Sequence, residues 1–168
     1  MVHSIELVFD HDTEAAIRRI WDELAGAGIP SQAPVSRPHV TLAVAESIVA
    51  DVDDLLRPVA ARLPIDALVG APLLFGRSSA VFARLVVPSI ELLALHAEVH
   101  RLCRPHLLPA AMPNSLPGQW TAHVTVARRV GGAQLGRALR IAGRPTQLQG
   151  SFAGLRRWDG NKRVEHLL

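Results

Sequence analysis

The chain has 168 residues, 49% of them hydrophobic, which suffices for one well-buried domain or two small lobes on a shared core. A single cysteine, Cys103, excludes an internal disulfide and any zinc-cluster spacing, and no apolar run approaches the roughly 18 residues of a membrane span. The net charge of +3 rests almost wholly on arginine, Lys162 being the sole lysine; at so modest a value compositional drift explains it, and nothing resembles the dense basic stripe of a duplex-DNA binder.

In chain order, residues 4–9 read as a strand. The N-terminal stretch enters it without a charged-then-apolar leader, so the expected location is cytoplasmic. Residues 11–27 read as a helix with Asp12 or Thr13 as N-cap and Ile17, Ile20, Trp21 and Leu24 on its buried face. A loop with prolines spans 29–38, followed by a strand opening on His39. Residues 47–63 carry the apolar stripe Ile48, Val52, Leu55, Leu56 and Val59 of a second helix, which Pro58 is expected to break or kink. Residues 65–75 and 81–87 read as strands joined by a turn at 76–79, and 89–104 as a helix. A proline-rich loop over 105–118 leads to a strand at 120–128. A short helix at 135–141, a long strand at 146–158, a turn at 159–161 and a closing strand at 162–167 complete the chain.

One five-residue phrase occurs twice, as His39-Val40-Thr41-Leu42-Ala43 and His123-Val124-Thr125-Val126-Ala127. On a strand, side chains at i and i+2 share a face, so each His stands beside its Thr. Each pair therefore offers an imidazole that moves protons near neutral pH and a hydroxyl that holds an oxyanion. The histidines stand half a chain length apart, and each half runs strand, helix, proline-bearing loop, His-x-Thr strand, helix, strand. The expectation is a single body of two lobes, the first repeat about 1–79 and the second about 80–168, related by a pseudo-twofold axis that sets the phrases about a cleft.

A lone His on a strand is most often structural, but two copies with matching flanks point to chemistry. In-line displacement at phosphorus needs a base on the entering oxygen and an acid on the leaving one, and two imidazoles of opposite protonation supply both without a metal. No carboxylate or cysteine accompanies either phrase as a zinc site requires. His96 and His100 share the i, i+4 spacing of half a metal site, against which a solvated helix face is the preferred reading. Neither a Gly-x-Ser-x-Gly elbow nor a phosphate-cradling glycine loop occurs. No cofactor is expected.

The phrases Pro38-His39-Val40-Thr41-Leu42 and Ala122-His123-Val124-Thr125-Val126, with the opening stretch from Glu6 through Trp21 to Arg37, resemble the 2H phosphoesterase superfamily and its bacterial 2′–5′ RNA ligase-like proteins. The resemblance implies a bilobal α+β fold, with two antiparallel sheets lining a central cleft and helices outside. It also implies metal-independent chemistry at a ribose 2′ oxygen, commonly the opening of 2′,3′-cyclic phosphate ends of RNA or small nucleotides. The residues it carries over are His39, Thr41, His123 and Thr125. The provisional roles are His123 as base and His39 as acid, which a reversible reaction would swap.

Arg37 and Arg128 are candidate phosphate partners, although strict alternation turns Arg128 away from the His123 face unless the strand bulges. Trp120 is a candidate stacking surface for a base; Trp158 is left open, and Phe75 reads as core. The expected partners are RNA 2′,3′-cyclic ends or small cyclic nucleotides, with no membrane or duplex DNA and a monomeric chain. The alternatives are a 2′–5′ phosphodiester ligase or hydrolase, and a binding module that recognises phosphate ends without turnover.

Overall fold

The computed structural model describes residues 1–31, 37–76 and 79–168. The strands are β1 (His3–Phe9), β2 (His39–Ala45), β3 (Ser47–Ile48), β4 (Ile65–Phe75), β5 (Ala80–Val86), β6 (Leu107–Leu108), β7 (His123–Val130), β8 (Leu148–Asp159) and β9 (Val164–Leu167). The helices are α1 (His11–Gly26), α2 (Val52–Ala60), α3 (Ile90–Cys103) and α4 (Leu135–Ala142). No described helix is long and apolar enough to cross a membrane. The expected loop over 29–38 falls partly, and the centre of the expected turn at 76–79 wholly, outside the described residues.

The chain is α+β. Seven strands form one antiparallel sheet in the order β2-β1-β8-β4-β5-β7, with β9 added to β8, and β3 pairs β6 in a second small sheet. The groups β2-β1-β8 and β4-β5-β7 meet along the first five residues of β8, Leu148–Phe152, which pair with β4. Each half of the chain lends a strand to the other group: β4 lies beside β5, and β8 lies between β1 and β4. Although β2 and β7 end the strand order on opposite sides, they lie in contact, so the sheet curls until its edges meet. That closure brings the two His-x-Thr phrases together.

The helices pack outside, α3 on β2, α2 on β8 and α3, and α1 on β7, β8 and α4. Ile5, Leu7, Phe9, Val40, Leu42, Leu56, Val99 and Phe152 are among the buried core side chains. Buried Arg84 ties the chain beyond α4 to this body, donating to the carbonyls of Gly70, Ala142 (2.8 Å), Pro145 (2.8 Å) and Thr146 (3.0 Å).

Two local expectations need correction. Residues 47–51 are not helical: Ser47 and Ile48 pair with Leu108 and Leu107 instead, and α2 begins at Val52. A long-range strand pairing outweighs the helical spacing of Ile48. Pro58 lies inside α2 within its last turn, two residues before the helix ends.

The N-cap of α1 is Asp10, not Asp12 or Thr13. Asp10 accepts from Thr13 N (2.9 Å) and Thr13 Oγ1 (2.7 Å), and from Ser151 N (2.7 Å) and Ser151 Oγ (3.1 Å) of β8. One carboxylate thus starts the helix and fastens it to the sheet. Gly150 makes room for this cap, since a Cβ there would stand 1.8 Å from Thr13 Oγ1. Burial raises the Asp10 pKa, but the Thr13 and Ser151 hydrogen bonds outweigh it and hold it at about 2. The native state therefore binds this proton more weakly than the unfolded chain, and the resulting stability is present above the ordinary value of 3.8 and lost as pH falls toward 2. Asp10→Ala is expected to cost about 1–2 kcal/mol in urea unfolding at pH 7. The difference from the wild type should shrink between pH 4 and pH 2; an undiminished difference at pH 2 would refute the assignment.

Candidate active site

Each phrase is held by its backbone in the same way. His39 Nδ1 lies 2.7 Å from the carbonyl of Arg37, and His123 Nδ1 lies 2.7 Å from the carbonyl of Thr121. A carbonyl can only accept, so each Nδ1 carries the proton and Nε2 keeps the lone pair of the neutral ring. Both histidines thus share a tautomer through a contact two residues back. Thr41 and Thr125 are half-buried, and among the described residues neither hydroxyl has a protein partner.

The strands also bulge at the same place. Glu6 pairs with Thr41 and Ile5 with Ala43, so β2 carries one extra residue, Leu42, against β1. Ala83 pairs with Thr125 and Phe82 with Ala127, so β7 carries an extra residue, Val126, against β5 there, and a second register shift follows between Ala127 and Val130. Leu42 and Ala43 are consecutively buried, as are Val126 and Ala127, and the next residue returns to the face of the His and Thr. In β7 that residue is exposed Arg128. The bulge overturns strict alternation and returns Arg128 to the side of His123 and Thr125, where its charge acts on His123.

Each Thr is fastened by a tryptophan. Trp120 Nε1 donates to the carbonyl of Thr41 (2.9 Å), and Trp21 Nε1 of α1 donates to the carbonyl of Thr125 (3.2 Å). Behind β2, His96 and His100 converge on the bulged residue, their Nε2 atoms 3.1 and 2.8 Å from the Leu42 carbonyl, with His96 Nε2 also 2.9 Å from the Ser115 carbonyl. These two histidines are buried, not a solvated helix face. Burial, with the charge of His100, pushes the His96 pKa down to about 4 against its carbonyl contacts, so His96 is a neutral donor near pH 7. His96 stacks flat on Trp120 at 3.9 Å, so one face of the expected base-stacking ring is occupied from within the protein.

The surroundings of the two histidines differ. Beside His39 stands Glu6, with Oε1 3.5 Å from Nε2. Glu6 Oε1 accepts from Ser4 Oγ (2.5 Å), and Oε2 accepts from Arg156 Nε (2.8 Å) and Nη2 (2.7 Å). Arg156 Nη1 donates to Glu165 Oε2 (2.6 Å), and its guanidinium lies 5.3 Å from the Trp158 ring centre. Arg37 is turned into the same network, with Nε 2.9 Å from Glu14 and Nη1 3.8 Å from Glu165, so its guanidinium faces carboxylates while its carbonyl orients His39.

No carboxylate is in ion-pair contact with His123 among the described residues. Its ring neighbour is Phe75, 4.7 Å between centres, so Phe75 is a half-exposed part of the site and not the core residue expected. Burial foremost, then the charges of His39 and Arg128, hold the His123 imidazole below its ordinary value of 6.5, against the Thr121 carbonyl that favours protonation. The charge of His39 acting on His123 places both imidazoles in one electrostatic site.

Sequence reasoning did not single out Glu6, Ser4, Arg156 or Glu165 as site residues. The strand period offered one signal: Ser4 and Glu6 alternate with apolar Ile5 and Leu7, yet both are buried. Trp120→Phe keeps an aromatic ring and removes the indole N–H that holds the Thr41 carbonyl. It is expected to cost about 1–3 kcal/mol in thermal or urea unfolding, and an unchanged midpoint would count against the clamp.

The model of the 2′-5′ RNA ligase superfamily matches residues 10–160. No curated protein shows significant sequence similarity to the chain. Among solved structures, TT0787 of Thermus thermophilus superposes with a TM-score of 0.62 at 16% identity, over 100% of this chain and 95% of that one. E. coli LigT complexed with 3′-AMP superposes at 0.59 and 12% identity, covering 99% and 92%. The PDE domain of MHV ns2 superposes at 0.56 and 18% identity, covering 99% and 98%. At these identities the superpositions establish the shared fold, and the match over residues 10–160 identifies this chain as a member of the 2′-5′ RNA ligase superfamily, within the 2H phosphoesterases.

Proposed function

We propose that the chain is a metal-independent phosphoesterase that opens 2′,3′-cyclic phosphate ends of RNA or small nucleotides by His/His acid–base catalysis. The observation that carries this reading is the matched pair of imidazoles. Both are pinned through Nδ1 to a carbonyl two residues back, both stand beside a Thr with an uncommitted hydroxyl, and both lie on edge strands that meet.

The chemistry follows from their unequal surroundings. His123, kept neutral by burial and nearby positive charge, takes a proton from water as the water oxygen forms its bond to phosphorus. The bond from phosphorus to the ribose 3′ oxygen breaks, and His39 gives that oxygen a proton, leaving a 2′-phosphomonoester. The Glu6 carboxylate stands 3.5 Å from His39 Nε2 and sets a negative charge beside the ring that delivers the proton. Thr41, Thr125 and Arg128 hold the non-bridging oxygens, where negative charge gathers. The two imidazoles return to their starting forms by proton exchange with solvent. The complex of structurally similar LigT with 3′-AMP supports a nucleotide as the kind of ligand for this cleft.

With chelator present, the wild type is expected to turn over nucleoside 2′,3′-cyclic phosphates, and His39→Ala and His123→Ala are each expected to lose about 10²–10⁴-fold in kcat. The kcat/KM profile should be bell-shaped, with its acid limb below the ordinary histidine value because the His123 pKa is lowered. Full activity in either alanine variant, or strict dependence on added metal, would refute the mechanism.

A further inference from the structure

We propose that Glu6 is a specificity-determining residue, whose buried carboxylate beside His39 makes the cleft favour a singly charged phosphodiester over a doubly charged phosphomonoester. The inference rests on the cleft being the phosphate site proposed above.

Glu6 belongs to a chain of alternating charges that runs from the surface of α1 to the site. Arg18 pairs with Glu14 (2.9 Å), Glu14 with Arg37 (2.9 Å), Arg37 with Glu165 (3.8 Å), Glu165 with Arg156 (2.6 Å), Arg156 with Glu6 (2.7 Å), and Glu6 with His39 (3.5 Å). The inner members are fixed, the Glu6 and Arg156 side chains being 4% and 5% exposed. The second phrase has no counterpart to this chain among the described residues.

The direction of the chain at its inner end decides what a phosphate meets. Arg156 approaches the ring of His39 on the Nδ1 side, at 3.5 Å, and its charge is shared between two carboxylates, Glu6 and Glu165. Glu6 approaches on the Nε2 side. Nε2 is the atom left to the substrate, because Nδ1 is committed to the Arg37 carbonyl. A phosphate oxygen hydrogen-bonded to Nε2 at about 2.8 Å therefore has a carboxylate as its nearest fixed charge on that side, within the roughly 4–6 Å over which like charges disfavour each other strongly.

His39, His123 and Arg128 attract any phosphate, and by themselves they would favour the more charged one. Glu6 opposes the second charge. A diester carries one negative charge, while a monoester, with a second ionisation near pH 6, carries nearly two at pH 7.5. Ring opening converts the first into the second, so the same carboxylate that tolerates the substrate helps to expel the product.

The test compares a nucleoside 2′-monophosphate with its phosphate O-methyl ester at pH 7.5 by calorimetry, so that the ligands differ in charge while the protein does not. The wild type is expected to bind the methyl ester more tightly. Glu6→Gln keeps one oxygen for Arg156 and turns its amide NH2 toward Ser4, whose hydroxyl can accept, and it is expected to shift the affinity ratio about tenfold toward the monophosphate. A purely structural role for Glu6 would weaken both ligands alike and leave the ratio unmoved. That result in a folded Glu6→Gln protein, or wild-type preference for the monophosphate, overturns the proposal while leaving the phosphate site standing. If Glu6→Gln does not fold, the wild-type preference alone decides. Binding of neither ligand would remove the phosphate-site reading and this inference with it.

Discussion

The outer backbone groups of the two edge strands govern this structure. An edge strand presents carbonyls and amides that must find partners or face water. In β2 those partners are side chains from elsewhere: Trp120 on Thr41, and His96 with His100 on Leu42, while Met112 N caps Val44 at 2.8 Å. In β7, Trp21 takes the Thr125 carbonyl, Arg128 N reaches the Pro30 carbonyl at 3.1 Å, and Ser31 bridges Ala127. With their edges capped, β2 and β7 hold a bulge just after each Thr and close on one another. That closure brings the two His-x-Thr phrases together.

The backbone treats the two phrases alike, and the side chains around them do not. The i−2 carbonyl, the bulge and the tryptophan clamp recur on both sides and give two imidazoles of one tautomer. Glu6 and Arg156 then attend only His39, and Phe75 and Arg128 only His123. The proposed division of the two imidazoles into base and acid draws on these unequal surroundings.

The inner ion pairs also bear on stability. Removing charges from water is costly, and a buried pair such as Glu6 and Arg156 recovers that cost only with good geometry and satisfied hydrogen bonds. Here Ser4, Glu165 and the two-point contact between guanidinium and carboxylate supply them, and among the described residues no buried side-chain polar atom lacks a partner. An apolar pair would fill the same space without that cost. The proposed phosphate site beside His39 gives these charges a reason that the fold alone does not.

By itself the sequence determined the order of elements, because strand and helix periods are local: β1, α1, β4, β5, α3, α4 and β8 stand close to where alternation and helical spacing put them. It also singled out the candidate reactive groups, since His39, Thr41, His123 and Thr125 stand in a repeated phrase. Where a distant strand competed, as at Ser47 and Ile48, local spacing misled. Only the tertiary structure decided the direction of Arg128, because a bulge depends on which partner strand lies alongside. Only it turned Arg37 toward carboxylates, and only it put Glu6 beside His39. Glu6 and Arg156 lie 150 residues apart in sequence and share no motif. They meet because β1 and β8 are neighbours in the sheet, and the charge on one histidine's doorstep is a property of that pairing.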